Sequence, residues 1–349
     1  MACRVYHAEL AQVQDHPRLA ALMARGAAAG PFDRADWLGL IAARAPGRAF
    51  LAVAEELPAT GTGHGALLAL PLVATPGGLA ACANWYSFWA RPITTAPDRA
   101  EVLLAAIARD LAPHGAIDFG PLPAPEAGWM ARAFRAAGWI AAVEPAHVNR
   151  HLVLGGQDFA QWWASRPGAL RATVRRKGAR GVVECRVATR FDPADWAAYE
   201  AVYAASWKPA EGDPALLRAF AQAESAAGAL RLGLATIDGQ PVAAQLWSVE
   251  HGTAFIHKLA HRDDARAASP GTLLSAALFA HVIDQDRVAA VDFGTGDDPY
   301  KADWMDHTRT RWRLRAHHPA AWRHWPALAR GLARHLAGRT LLAPPPGDG

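Results

Sequence analysis

Two segments of this chain begin alike. Residues 117–121 read Ile-Asp-Phe-Gly-Pro, and residues 291–294 read Val-Asp-Phe-Gly. Each follows a short apolar run, the signature of a buried strand opening into a turn. The second copy continues as Thr295-Gly296-Asp297-Asp298-Pro299-Tyr300-Lys301-Ala302-Asp303-Trp304, so its strand delivers polar groups and then a short helix; the first copy has no such tail. A duplicated fold with one chemically furnished half explains both facts. The length of 349 residues suits two domains of about 150 residues each.

The periodicity supports the duplication. The N-terminal half predicts a helix over 33–43 with Trp37, Leu38 and Ile41 on one face, and a strand over 48–55. Paired strands follow over 65–75 and 79–90, joined at Pro76-Gly77-Gly78. A helix over 100–111, a strand over 116–119, a helix over 126–137 stopped by Gly138, and a strand from Trp139 complete it. The C-terminal half predicts a strand at 152–154, helices over 158–164 and 168–178, and a strand over 182–189. Helices capped by Asp192-Pro193, Asp213-Pro214 and Ser269-Pro270 follow, each with proline at the first helical position. Strands over 230–237, 241–249 and 253–261 turn at Asp238-Gly239 and His251-Gly252. The stretch 312–316 reads as the last strand of this half. The fold class is α/β (α+β), each half a mixed, mostly antiparallel sheet flanked by helices. The expected domains are 1–150, 151–318, and a tail over 319–349 with an amphipathic helix over 320–337 before Pro344-Pro345-Pro346.

Hydrophobic residues make up 52% of the chain, enough for a core in each half, and the net charge of +4 suits anionic ligands without requiring nucleic acid. The three cysteines, Cys3, Cys82 and Cys185, form no CxxC pair, so a reducing compartment and no metal site are expected. The longest apolar run, 66–74, is broken by Pro71 and is far shorter than the ~20 residues that cross a bilayer. The expected location is cytoplasmic.

Four blocks carry a family resemblance. They are the basic helix Leu170-Arg171-Ala172-Thr173-Val174-Arg175-Arg176-Lys177, the segment Ser206-Trp207-Lys208, the helix start Ser269-Pro270-Gly271-Thr272-Leu273-Leu274, and the block 292–304. With the element order they resemble the GNAT acyltransferase fold in tandem, and the C-terminal half is similar to the CelD/BioF2-like branch related to FemAB-type transferases. That resemblance implies acetyl-CoA as acyl donor and a small-molecule or saccharide-precursor acceptor. It implies a pyrophosphate site among Arg262, Arg266, Ser269, Gly271 and Thr272, where a helix N-terminus offers free N–H groups. The glycine-rich signature usual there is reduced to Gly271, and a plain helix cap is the alternative reading.

The resemblance makes Tyr300 the acid for the departing thiolate; the alternative is a tyrosine whose hydroxyl ties down the turn. Asp292, Asp297 and His257 are candidates for base or substrate orientation. Asp292 recurs as Asp118, which favours a structural role; Asp297 does not recur, which favours substrate. Strand alternation puts Phe255, His257, Leu259 and His261 on one face and Lys258 on the other. Lys258, Lys301, Trp207 and Lys208 are candidate substrate contacts. Lys301 could equally pair with Asp297 or Asp303, and Trp304 reads as core. The basic run Arg171 to Arg180 is either a solvated face or a contact for an anionic substrate or the tRNA of an aminoacyl donor. Three functions stay open: an acyl-CoA-dependent N- or O-acyltransferase, an aminoacyl-tRNA-dependent transferase, and a non-catalytic interaction module using the 320–337 helix.

Overall fold

The computed structural model describes residues 3–57, 64–321 and 325. Its elements, in chain order, are β1 (Cys3–Glu9), α1 (Pro17–Leu22), α2 (Ala35–Ala42), β2 (Ala49–Glu56), β3 (Leu67–Thr75), β4 (Gly78–Ala81), β5 (Ile93–Thr94), α3 (Ala100–Asp110), β6 (Ala116–Leu122), α4 (Ala124–Ala136) and β7 (Ile140–Val153). Then come α5 (Phe159–Ala164), α6 (Gly168–Gly178), β8 (Glu184–Ala188), α7 (Pro193–Ala204), α8 (Pro214–Ala226), β9 (Leu230–Ile237), β10 (Gln240–Glu250), β11 (Thr253–His261), α9 (Pro270–Asp284), β12 (Ala290–Thr295) and β13 (His307–His317). The chain divides into two compact units, 1–148 with 310–349, and 149–309.

The same sheet plan appears in each unit. In the first, β1, β2, β3 and β4 pair antiparallel in that order, β4 pairs parallel with β6, and β6 pairs antiparallel with β13. In the second, β8, β9, β10 and β11 pair antiparallel, β11 pairs parallel with β12, and β12 pairs antiparallel with residues 149–153 of β7. Each duplicated Asp-Phe-Gly lies on the strand after the parallel step.

The last strand of each plan comes from elsewhere in the chain. The stretch 312–316 had been expected to close the second unit, yet β13 pairs with β6 of the first, Leu314 opposite Phe119 and Arg315 opposite Asp118. Residues 149–153, preceding the second unit's helices, close its sheet instead. Both strands carry similar alternation, so the local pattern leaves the choice of partner open. The strand expected over 79–90 stops at Ala81, and 82–92 is irregular; there Trp89 donates to Asp33 at 2.8 Å and Arg91 pairs with Asp33 and Glu126. Strand β1 and helix α1 were not anticipated.

Helix starts follow the capping chemistry in two of three cases. Asp192 accepts from the N–H groups of Ala194 and Asp195, and Asp213 accepts from that of Leu216. Such caps contribute about 1 kcal/mol each. Ser269 does not cap α9. It takes a left-handed conformation, φ 57°, as it leaves the 3-10 turn Arg266–Ala268, and its side chain makes no cap hydrogen bond. The Asp238-Gly239 turn has φ 50° and 75°, the left-handed pair that a two-residue hairpin requires.

The core of the second unit lies between its sheet and α5, α6 and α9, with Trp162, Phe279 and Trp304 in face-to-face contact: Phe279 and Trp304 are 5.1 Å apart at 9°. Trp304 is therefore core, and it pins the short turn Pro299–Asp303 that carries Tyr300. The expected helix over 320–337 lies outside the described residues, apart from residues 320, 321 and Trp325. Among the described residues no helix is long and apolar enough to cross a membrane.

Candidate active site

Strands β11 and β12 pair only through Thr253–Phe255 and Ala290–Asp292. Beyond those residues β11 continues to His261 and β12 to Thr295 without mutual pairing, so the sheet opens into a wedge. One edge of that wedge is irregular. Trp247 lies opposite Ile256 and Leu246 opposite Lys258, which leaves His257 as the extra residue of a β-bulge.

The bulge resets the alternation, and the expected grouping of β11 side chains changes with it. His257 bonds Ser248 Oγ at 2.8 Å and meets the Phe220 ring of α8 edge-on. Lys258 lies on that same side, 3.1 Å from Glu211 and over the Tyr203 ring of α7. Leu259 and His261 face the other way, toward α9: Leu259 joins the α9 core, and a Cβ on Gly271 would lie 3.2 Å from the His261 ring. Two adjacent residues share a face because the bulge adds one residue to a period of two. His257 is thus a hydrogen-bonded residue beneath α8, and Lys258 and His257 are neighbours in orientation.

The start of α9 leaves donors available. Pro270 has no N–H, Ser269 supplies no cap, and among the described residues the N–H groups of Gly271 and Thr272 have no acceptor. Such a helix end attracts anions. Arg266 is exposed in the preceding turn, and Lys177 of α6 donates to Ala267 O at 2.5 Å, which ties the basic end of α6 to this loop. Arg171, Arg175 and Arg176 are exposed along α6, and Arg180 just after it. Arg262 is paired with Asp264, at 3.0 and 2.5 Å, and is less available. The two uncapped N–H groups, Thr272 and Arg266 fit a pyrophosphate.

On the β12 side, Tyr300 is 41% exposed and touches Phe293 edge-on. Its hydroxyl makes no hydrogen bond among the described residues, so it does not tie down the turn. Burial of the phenol, followed by the neighbouring Asp298 carboxylate, pushes its pKa well above the ordinary tyrosine value. It therefore holds its proton at neutral pH, as a proton donor must.

Three candidates are committed to the scaffold. Asp292, 2% exposed, accepts from Asn149 Nδ2 at 2.7 Å, from the Gly294 N–H at 2.8 Å, and from Arg309. Its lone pairs are occupied, which removes it as a base. Asp118 repeats the role in the first unit, holding Arg313 and Arg315. Lys301 is also buried, and its Nζ donates to Thr295 O at 2.7 Å, with Gly296 O and Phe293 O at 3.3 and 3.4 Å. It closes the 293–296 turn rather than holding substrate, and burial lowers its pKa. Asp297 pairs with Arg150 at 2.5 Å, so an anchoring partner already holds the carboxylate expected to face substrate.

The 206–208 segment does reach the site. Ser206 bridges to Arg262 at the end of β11, and Trp207 packs its exposed ring 4.5 Å from His261. Lys208 sits over Trp207 and has no ion pair or hydrogen bond through Nζ among the described residues. Desolvation, then repulsion from Lys258 and Lys301, lowers its pKa to about 8. It lines a cavity of about 450 Å³ with Trp196, Tyr199, Tyr203, Glu211 and Leu217. The aromatic residues at 196, 199 and 203 have helical spacing and read in sequence as packing; that one edge of the stripe lines a cavity had no local signal. The first unit holds a wider cavity of about 750 Å³ where β4 and β6 part, but its charges face one another: Arg313 with Asp118, and Arg315 with Asp118 and Glu144.

Residues 164–302 match the family described as Acetyltransferase (GNAT) domain. No curated protein sequence matches the chain. Among solved structures, FemX has a TM-score of 0.61 at 9% identity, over 92% of this chain and 99% of that one. A tandem GNAT protein from the clavulanic acid biosynthesis pathway has a TM-score of 0.53 at 14% identity, over 90% and 98%. A protein of unknown function from Bacteroides thetaiotaomicron has 0.57 at 12%, over 90% and 100%. At these identities the likeness is one of fold. The chain has a tandem GNAT-like fold, and the stretch that matches the GNAT acetyltransferase domain lies within its second unit.

Proposed function

We propose that this chain is an acyl-CoA-dependent N- or O-acyltransferase that moves an acetyl group to the amine or hydroxyl of a small molecule or saccharide precursor. The observation that carries the reading is the wedge between β11 and β12, with the uncapped start of α9 beside one strand and an unbonded Tyr300 hydroxyl after the other. In this reading the N–H groups of Gly271 and Thr272, with Arg266, bind the donor's pyrophosphate. The bulge at His257 interrupts regular pairing on β11, where a backbone donor would polarise the thioester carbonyl. Tyr300 gives its proton to the departing thiolate. The four sequence blocks favour the CelD/BioF2-like branch, and the sparse cysteines favour a cytoplasmic enzyme.

Calorimetric titration with acetyl-CoA tests this. Saturable binding is expected, weakened about tenfold by Arg266→Ala. Tyr300→Phe should leave binding intact and lower kcat by about 10²-fold. No binding at millimolar acetyl-CoA would refute the acyl-CoA reading.

One observation favours a second donor. The exposed arginines of α6 lie on the helix whose Lys177 is bonded to the loop before α9. A polyanionic donor such as aminoacyl-tRNA, which the FemAB resemblance implies, would use them. Salt-dependent tRNA binding lost on Arg175→Ala/Arg176→Ala would favour it; affinity equal to that for random RNA would remove it.

A further inference from the structure

The cavity beside Lys208 has a composition that points to a ligand class. Its walls come from α7, the start of α8 and the segment between them, and Trp196, Tyr199, Tyr203 and Leu217 make them largely aromatic and apolar. Both of its carboxylates already have donors. Glu200 accepts from the Trp196 indole at 2.8 Å, and Glu211 is held by Lys258 at 3.1 Å and by Tyr203. Lys208 is different. Its Nζ makes no hydrogen bond or ion pair among the described residues, and repulsion from Lys258 and Lys301 outweighs the pull of Asp298 and Glu211. A largely aromatic cavity with one directly unpaired ammonium at its wall is completed by a ligand bearing one anionic group on an apolar body. The volume of about 450 Å³ is in the range of small-molecule sites and excludes a folded partner.

We propose that this cavity binds a small carboxylate with an aromatic or branched apolar body, its carboxylate on Lys208 Nζ and its body against Trp196, Tyr199, Tyr203 and Leu217. Lys258 stands at the β11 bulge, and Asp298 and Lys301 in the turn after β12, so charges felt by Lys208 come from both sides of the wedge. Resting on the transferase reading, the bound acid is then the acyl acceptor, presenting an amine or hydroxyl on the same body. The binding claim itself stands without that reading.

The test uses the full chain and two probes, phenylacetate and indole-3-acetate, with their neutral amides as controls, followed by calorimetry. The acids should bind saturably, and the amides at least about tenfold more weakly, because only the acids compensate the cation. Lys208→Met should lose about tenfold for the acids and nothing for the amides, while Lys208→Arg should restore most of the loss. Leu217→Trp, which fills the cavity, should abolish binding of both; thermal melts of each variant report whether it folds. No acid binding at about 5 mM, equal binding of acids and amides, or indifference to Lys208→Met in a folded protein would overturn the proposal. Acetyl-CoA titrated in parallel separates the two claims. Acid binding without acetyl-CoA binding sinks the transferase reading and keeps the site; the reverse sinks the site alone.

Discussion

Replacing Lys208 by Met should make the protein more stable. The folded state holds this ammonium partly desolvated and without a direct ion pair, and repulsion from Lys258 and Lys301 outweighs attraction from Asp298 and Glu211, so it gives up its proton near pH 8 instead of near 10.5. That difference costs the folded state at most ~3.4 kcal/mol at neutral pH. Solvent screening at a partly exposed group reduces the figure to about 1–2 kcal/mol. Loss of the contact with the Trp207 ring, 5.8 Å away, returns about 0.5 kcal/mol. A net gain on the order of 1 kcal/mol remains. The sign with pH follows from the same numbers. A lysine whose folded pKa lies below its unfolded value binds fewer protons when folded between the two, so wild-type stability from this group rises from about pH 8 to 10.5. Below pH 8 the full penalty is present. Urea midpoints of wild type and Lys208→Met, followed by tryptophan fluorescence from pH 7 to 10.5, should therefore converge as pH rises. Parallel curves, or a variant less stable than wild type at pH 7, would refute the account of Lys208 as a directly unpaired charge, and with it the argument that a ligand supplies the missing anion.

Two further predictions concern the scaffold. Asp292→Asn weakens buried bonds to Asn149 and the Gly294 N–H and removes the charge partner of Arg309, itself 34% exposed, and should cost about 2 kcal/mol; Asp118→Asn, at the 38% exposed copy, should cost no more than about 1 kcal/mol. Equal losses in urea midpoint would show that burial does not separate the two copies. Ser269→Ala should change stability by less than about 0.5 kcal/mol, because no cap is lost, and Ser269→Gly should add about 1 kcal/mol by relieving the left-handed backbone. Asp192→Ala, which removes a cap with two hydrogen bonds, should cost about 1 kcal/mol or more. A Ser269→Ala loss as large as that of Asp192→Ala would mean its hydroxyl does cap α9.

The residues themselves determined much of the fold. The Asp-Phe-Gly repeat declared a duplication, and each copy lies on the strand that follows a parallel step. Asp192-Pro193 and Asp213-Pro214 started helices, and Asp238-Gly239 turned a hairpin, because capping and left-handed turns depend on chemistry within three or four residues. The candidate site was legible in outline: the start of α9, Tyr300 and the 206–208 segment were all named from sequence.

Tertiary structure decided the rest, for a common reason. Alternation specifies a face only while the register is unbroken, and the bulge at His257 depends on how β11 meets β10, so the faces of Lys258, Leu259 and His261 could not be read from spacing. The closing strands depend on partners 137 to 201 residues away. Lys301 and Lys208 are the same side chain, each in an irregular segment, Lys301 in the turn after β12 and Lys208 in the loop after α7, and nothing nearby in sequence tells their fates apart. One is folded over three carbonyls and the other is left facing a cavity, because a lysine's destination is set by which acceptors the completed fold brings within reach of its Nζ.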